Sequence, residues 1–238
     1  KGDRVKILTP GEVELFDYVR NQDMGDPQLL DDSAQYLDIT ESRAFQYYLD
    51  DVDKKQMDKA AAFESAHIRN AAYKLADYAD QFVFSKYTDA GETITYSTFT
   101  SANVLDLLAK ADAAMRRANV PESETKYLEI SPEVYVKFVL AKILKDTDNS
   151  KTVETGRVGK LWGLDIYVSN NIHSDNGVYY CLVRTKRAIA YAEQLNQSEV
   201  IRHPKRFGDI HRGLMLCGAK VVVPKELICI AVKPSNET

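Results

Sequence analysis

The stretch from Leu37 to Phe84 constrains the fold more than any other part of the chain. An extended segment, Leu37-Asp38-Ile39 through Tyr47-Tyr48-Leu49, runs into the acidic cluster Asp50-Asp51-Val52-Asp53. Beyond it, Met57, Ala61, Ile68, Ala71 or Ala72, Leu75, Ala79 and Phe82 recur every three or four residues, which is one face of a helix. The three aspartates stand where a helix start favours negative charge. Some thirty residues rising about 1.5 Å each make a rod of about 45 Å, far longer than an ordinary globular helix. A long rod fed by a long extended arm implies a protein that reaches beyond its own body.

The first fifty residues read as that arm. Val5-Lys6-Ile7, Val13-Glu14-Leu15 and Phe45-Gln46-Tyr47 alternate as strands do, around a polar tip, Asn21 to Pro27, rich in turn formers. A lone hairpin is marginal in water, so it must lie on this subunit's body or on a neighbour's. The arm is acidic. Asp17, Asp23, Asp26, Asp31 and Asp32 cluster about its tip with Arg20 as the nearby base. Two readings stand: a solvated acidic loop, or an inter-subunit contact on a basic surface. Candidate basic partners are Arg116 with Arg117, Arg202 with Lys205 and Arg206, and Arg184 with Lys186 and Arg187.

Farther on, Ser85 to Thr95 reads as a hinge-like passage and Ser101 to Ala118 as a helix. Tyr127 to Ile130 reads as a strand. Ser131-Pro132 then opens a helix reaching Leu144, with Ser as cap and Pro in the first turn. Glycines 156, 159 and 163 punctuate a hairpin, Val178 to Val183 is a strand, and Leu214 to Val223 and Leu227 to Val232 close the chain. Helices and strands mix without a βαβ rhythm, so the fold class is α+β. A hydrophobic content of 45% supports a real core, and a net charge of −4 argues against a dedicated nucleic-acid binder. No run of eighteen apolar residues spans a membrane. Cys181, Cys217 and Cys229 have no close spacing and lie in apolar surroundings, as buried free thiols do.

Chemistry is hard to find. Gly156-Arg157-Val158-Gly159-Lys160 suggests a phosphate loop, but Glu154 stands where its first Gly belongs and Leu161 where Ser or Thr belongs. His67, His173, His203 and His211 have no metal-ligand spacing. No catalytic residue, cofactor site or metal site is singled out. The tyrosines fall in strands and on the rod, where packing or interface roles fit their amphipathic character.

The order of these parts resembles the major capsid proteins of tailed bacteriophages. Lys1-Gly2-Asp3-Arg4-Val5 looks like the family's lead-in to an extended loop. Leu37-Asp38-Ile39, Phe45, Leu49-Asp50-Asp51-Val52-Asp53 and Gln56 look like the return into a long spine helix, continued by Ala72, Leu75-Ala76-Asp77 and Asp80. Ser131-Pro132 with Tyr135, Gly156 to Asn170, and Arg206-Phe207-Gly208-Asp209 through Leu227 are similar to later landmarks. The resemblance implies four segments: an extended loop with its incoming strand (1–50), the peripheral domain's spine helix (51–88), an axial domain (89–198), and closing strands of the peripheral domain (199–238). It implies a structural subunit, not an enzyme, that forms hexamers and pentamers of an icosahedral head around double-stranded DNA without sequence-specific binding. Scaffold, portal and cement proteins would be its partners, with assembly in the host cytoplasm. An encapsulin-like nanocompartment shell is the alternative within the same fold; a soluble enzyme with a dispersed site is the reading from another class.

Two departures from the family pattern carry expectations. Only Lys1 precedes the Gly-Asp lead-in, where the family carries an N-terminal arm, so processing by a maturation protease or omission of that arm is expected. No Lys lies between Lys6 and Lys54, so no covalent cross-link through a loop-tip lysine is expected.

Overall fold

Acidic residues at a helix start and apolar residues at helical spacing do produce helices after Asp50. The computed structural model describes residues 4–9, 17, 20, 33–56, 60–141 and 157–236. Strands β1 (Arg4–Thr9) and β2 (Ser33–Asp38) pair antiparallel, from Arg4 opposite Asp38 to Thr9 opposite Ser33. β3 (Glu41–Asp50) leads into α1 (Asp51–Gln56), and α2 (Ala60–Phe84) supplies the rod. At about 1.5 Å per residue its 25 residues span about 37 Å. Asp50 Oδ1 accepts the Val52 N–H at 2.8 Å, so the acidic cluster caps the start of α1. Met57 and the arm tip, including Asp23, Asp26, Asp31 and Asp32, lie outside the described residues.

The passage expected to be a hinge is ordered differently. Ser85–Asp89 forms a 3-10 turn, and β4 (Glu92–Phe99) is a strand running parallel to the last strand of the fold. Its exposed Thr93, Thr95, Ser97 and Thr98 resemble a polar linker. Yet Thr is β-branched and favours strands, and Tyr96 among those residues and Phe99 just after them are buried. Following a 3-10 turn at Ser101–Asn103, α3 (Val104–Arg117) buries Val104, Leu107, Leu108, Ala111, Ala114 and Met115. Then come β5 (Lys126–Ile130) and α4 (Pro132–Leu140). The Ser131 hydroxyl accepts the Val134 N–H at 3.3 Å and Pro132 opens the helix, as the sequence predicts.

The remaining strands are β6 (Arg157–Leu161), β7 (Leu164–Val168), β8 (Ser174–Asp175), β9 (Val178–Thr185), β10 (Ile189–Arg202), β11 (Gly208–Val221) and β12 (Leu227–Pro234). β10 runs through residue 198 without a break other than the irregularity between Glu193 and Leu195. Its Glu193, Asn196, Gln197, Ser198 and Glu199 hide it from any apolar alternation.

Two larger sheets result. One has the order β10-β11-β3; the other runs β4-β12-β9-β5-β7-β6, with β8 pairing β9. The two closing strands therefore part: β11 stays with β10 and β3, while β12 inserts between β4 and β9. Phe99, Leu107, Leu108, Met115, Leu128, Ile130, Phe138, Leu164 and Ile166 fill the main core, where α3 and α4 pack against the six-strand path. A second cluster, Phe84, Ile172, Leu182, Ala188, Leu227 and Cys229, joins the end of α2 to β9 and β12. Helix, sheet and ribbon combine as the α+β class expected.

Candidate assembly surfaces

Helix α2 is poorly covered by the described residues of its subunit. Among its described side chains only Phe84 is buried, while Phe63, Ile68 and Tyr73 are exposed, the last at 66%. A rod of this length gains most of its stability from packing an apolar face, and the described residues leave much of that face open. The helix is held by a few polar and aromatic contacts to β3 and β11. Tyr78 donates to Glu41, and Arg43 donates to the Tyr78 hydroxyl at 2.6 Å with its guanidinium 4.2 Å from the ring centre. The Tyr47 ring stacks on buried His211 at 4.8 Å with 3° between planes, and His211 Nε2 lies 3.3 Å from Glu64 Oε1. That contact has the distance of an ion pair without the alignment of a hydrogen bond, and the Tyr47 hydroxyl is likewise buried without a hydrogen-bond partner among the described residues. Burial pushes the Tyr47 phenol up from its ordinary value. His67, on the flank of α2, meets the Phe63 ring edge-on at 4.3 Å.

The root of the arm is fixed. Leu37 is 1% exposed. Gln35 Nε2 donates to the Val222 carbonyl at 3.2 Å, and Lys220 Nζ donates to the Tyr36 carbonyl at 2.9 Å. Gly218 makes this approach possible: a Cβ there would stand 2.4 Å from the Asp38 carbonyl oxygen and 2.8 Å from Leu37 Cδ2. The end of β11 thus anchors β2, and the pair β1–β2 projects from that point. Asp17 and Arg20 are exposed.

The basic candidates fare unequally. Arg116 is occupied by Asp112 and Glu122, at 2.7 and 2.6 Å, and Arg117 by Glu92 at 2.6 Å. Arg184 forks onto Glu129, and Arg187 onto buried Glu226, which also accepts from the Thr185 hydroxyl. Burial opposes the Glu226 charge, but the Arg187 and Thr185 hydrogen bonds outweigh it and hold the carboxyl below its usual range. Arg202 bridges Asp51 and Asp209, and Lys54 meets Asp209 at 2.7 Å. These hydrogen bonds lower Asp51 and Asp209 and raise Arg202. Arg202 is therefore a clamp for the start of α1 rather than a free docking charge.

Past the clamp, the hairpin joining β10 to β11 is tied down: His203 N–H donates to the Gly208 carbonyl at 3.0 Å, and the Asp51 N–H and Tyr48 hydroxyl both donate to the Phe207 carbonyl. This tip presents Lys205 and Arg206, which form no ion pair among the described residues, beside Phe207 at 80% exposure. Arg202, grouped with them by sequence, is set apart by its ion pairs, and the exposure of Phe207 has no sequence signal.

The three thiols are all buried and unpaired, as expected. Burial pushes Cys181 up to about 12 and Cys229 up to about 11. Among the described residues no cluster of three metal-ligating side chains occurs, and no helix is long and apolar enough to cross a membrane.

The described residues thus combine an anchored arm root, a barely covered rod and two larger sheets. The family model described as Phage capsid protein matches residues 39–210, so the chain belongs to the phage capsid protein family. No curated protein sequence matches it. Among solved structures it is similar to one of Mycobacterium phage Che8, with 24% identity over 97% of this chain and 85% of that one, at a TM-score of 0.74. A second similarity is to the capsid of cyanophage P-SCSP1u, with 17% identity over 100% and 85% of the two chains at 0.75. A third is to a virus-like particle from Pyrococcus furiosus, with 14% identity over 97% and 86% at 0.58. At these identities the likeness is one of fold. Family and fold are those of a capsid subunit, a structural component of a virion.

Proposed function

We propose that this chain is the major capsid protein that assembles, as hexamers and pentamers, into the icosahedral head enclosing double-stranded DNA of a tailed phage. It has no catalytic role in this reading; its mechanism is association. The carrying observation is the pair formed by the anchored arm root and the uncovered α2. Each subunit anchors the root of an extended segment at the end of β11, and each displays a long helix face that its described residues leave uncovered. A heterologous exchange of such contacts closes into rings, and permanent assemblies of this kind bury on the order of 2,000 Å² or more. In this reading α2 with the three-stranded sheet forms the peripheral part, and the sheet carrying α3 and α4 the axial part. Scaffold and portal proteins would guide the process in the host cytoplasm. The acidic stretch containing Asp17, Asp23, Asp26, Asp31 and Asp32 would dock on a neighbour's Lys205 and Arg206, since Arg116, Arg117, Arg184, Arg187 and Arg202 already pair with carboxylates of their own subunit.

Deleting Asn21 to Asp32 tests this reading. The variant is expected to give a folded subunit by circular dichroism that forms no normal heads in negative stain. Heads of normal size and strength would refute it. The similarity to a virus-like particle favours one further reading, a shell without a phage genome; particle diameter and nuclease-protected DNA separate the two.

A further inference from the structure

Two hairpins in this protein turn in two residues with both φ angles positive. Asp175 faces Val178 across Asn176 (φ +50) and Gly177 (φ +75); Leu161 faces Leu164 across Trp162 (φ +50) and Gly163 (φ +80). Both are type I′ turns, for which Asn-Gly is the strongly preferred pair. The first turn obeys that preference. The second puts the bulkiest side chain in a left-handed conformation that L-residues avoid. The chain therefore holds Trp162 against its local preference.

Nothing described within the subunit repays this. Trp162 is 55% exposed, and no ring stacks on it among the described residues. The cleft beneath it is lined by Asp112, Arg116, Glu122, Lys126 and Lys160, so the indole has no apolar seat there. Arg116 and Lys126 pair with Asp112, and Arg116 also with Glu122, so these charges largely neutralise one another. The turn ends β6, the terminal strand of its sheet, whose outer backbone groups offer pairing to another polypeptide.

We propose that Trp162 anchors a contact between this hairpin tip and a second copy of the chain in the assembled shell. A nucleic acid or a strongly charged partner would need a one-signed lip, and this lip is mixed and nearly balanced. Another copy is the polypeptide that a shell subunit always meets, and tryptophan is among the residues most enriched in dominant interface anchors. The inference rests on the shell reading above.

Trp162 is the only tryptophan in the chain, so its fluorescence reports this site alone. In unassembled subunits the emission should be solvent-like and readily quenched by acrylamide; in particles made from the purified chain it should shift to the blue, with quenching reduced about threefold or more. Failure of the wild-type chain to form particles would refute the shell reading itself. Particles with unchanged emission would overturn only this proposal, as would an indole already shielded in the free subunit, or one shielded only after a different virion protein is added. Trp162→Asn should act in opposite directions on fold and assembly. The subunit Tm should rise by about 2 to 4 °C, because the turn regains its preferred residue, and the concentration needed for assembly should rise about tenfold or more. An Asn variant that assembles at the wild-type concentration would overturn the proposal; Trp162→Phe should fall between.

Discussion

Gly218→Ala perturbs the point from which the arm departs. The added methyl would stand 2.4 Å from the Asp38 carbonyl oxygen, about 1 Å inside ordinary contact, and backbone is on both sides, so β2 must lift away from β11. Lifting it exposes Leu37, worth about 1.5 to 3 kcal/mol when fully buried. It also strains the Gln35 bond to the Val222 carbonyl, worth about 1 kcal/mol net. Some of this is retained because the displacement is small, so the expected loss is about 2 to 3 kcal/mol, confined to the arm root. That corresponds to about 30- to 150-fold faster opening. Hydrogen exchange followed by mass spectrometry reads it directly: peptides covering 33–38 should lose protection by that factor, while those from α3, β5 and β9 stay protected. Shell assembly should fall in parallel, with the subunit still folded. If the variant folds and the 33–38 amides exchange at the wild-type rate, the anchoring argument is wrong. If the whole protein unfolds together instead, the root is not a separable unit.

Removing the cation from the buried Glu226 cluster is the second perturbation. Arg187→Met should lower stability by about 1 to 2 kcal/mol, discounted because half of the Arg187 side chain is exposed, as measured by urea unfolding. The Glu226 carboxyl is held low in the folded state, so its contribution is present above the unfolded carboxyl value of about 4.3 and is lost as pH falls through the lower folded one. The wild-type stability should therefore drop below about pH 4, and the drop should be shallower in the variant. A third measurement concerns the thiols. With Cys181, Cys217 and Cys229 buried and all raised by burial, a thiol reagent should label none in the native subunit and all of them in denaturant. Labelling of any one before unfolding would contradict the packing of its strand.

Legibility followed the reach of the signals involved. The α3 stripe, the Ser131-Pro132 cap and the glycine-marked β6–β7 hairpin were all readable, because each depends on residues a few places apart. α2 was readable as a helix, but its exposure was not, because burial depends on what packs against it. β4 and β10 were opaque. Their threonines, serines, glutamates and amides mimic linkers, and their pairing partners β12 and β11 lie far off or across a polar turn. The same distance hid the fate of Arg116, Arg117 and Arg202. A basic pair in sequence looks available until the fold supplies Asp112, Glu92, Asp51 or Asp209. Conversely, Lys205 and Arg206 form no ion pair among the described residues, and Arg206 lies over the Tyr48 ring instead.

The position of β12 has a consequence for biosynthesis. It sits between β4 and β9, although every other strand of that sheet precedes it in the chain. Until the ribosome has released Ile228, Ile230 and Val232, the greasy interior against α3 and α4 gapes open, and β4 has no strand to pair with. Prematurely terminated products therefore lack a finished body, which keeps defective bricks out of the wall.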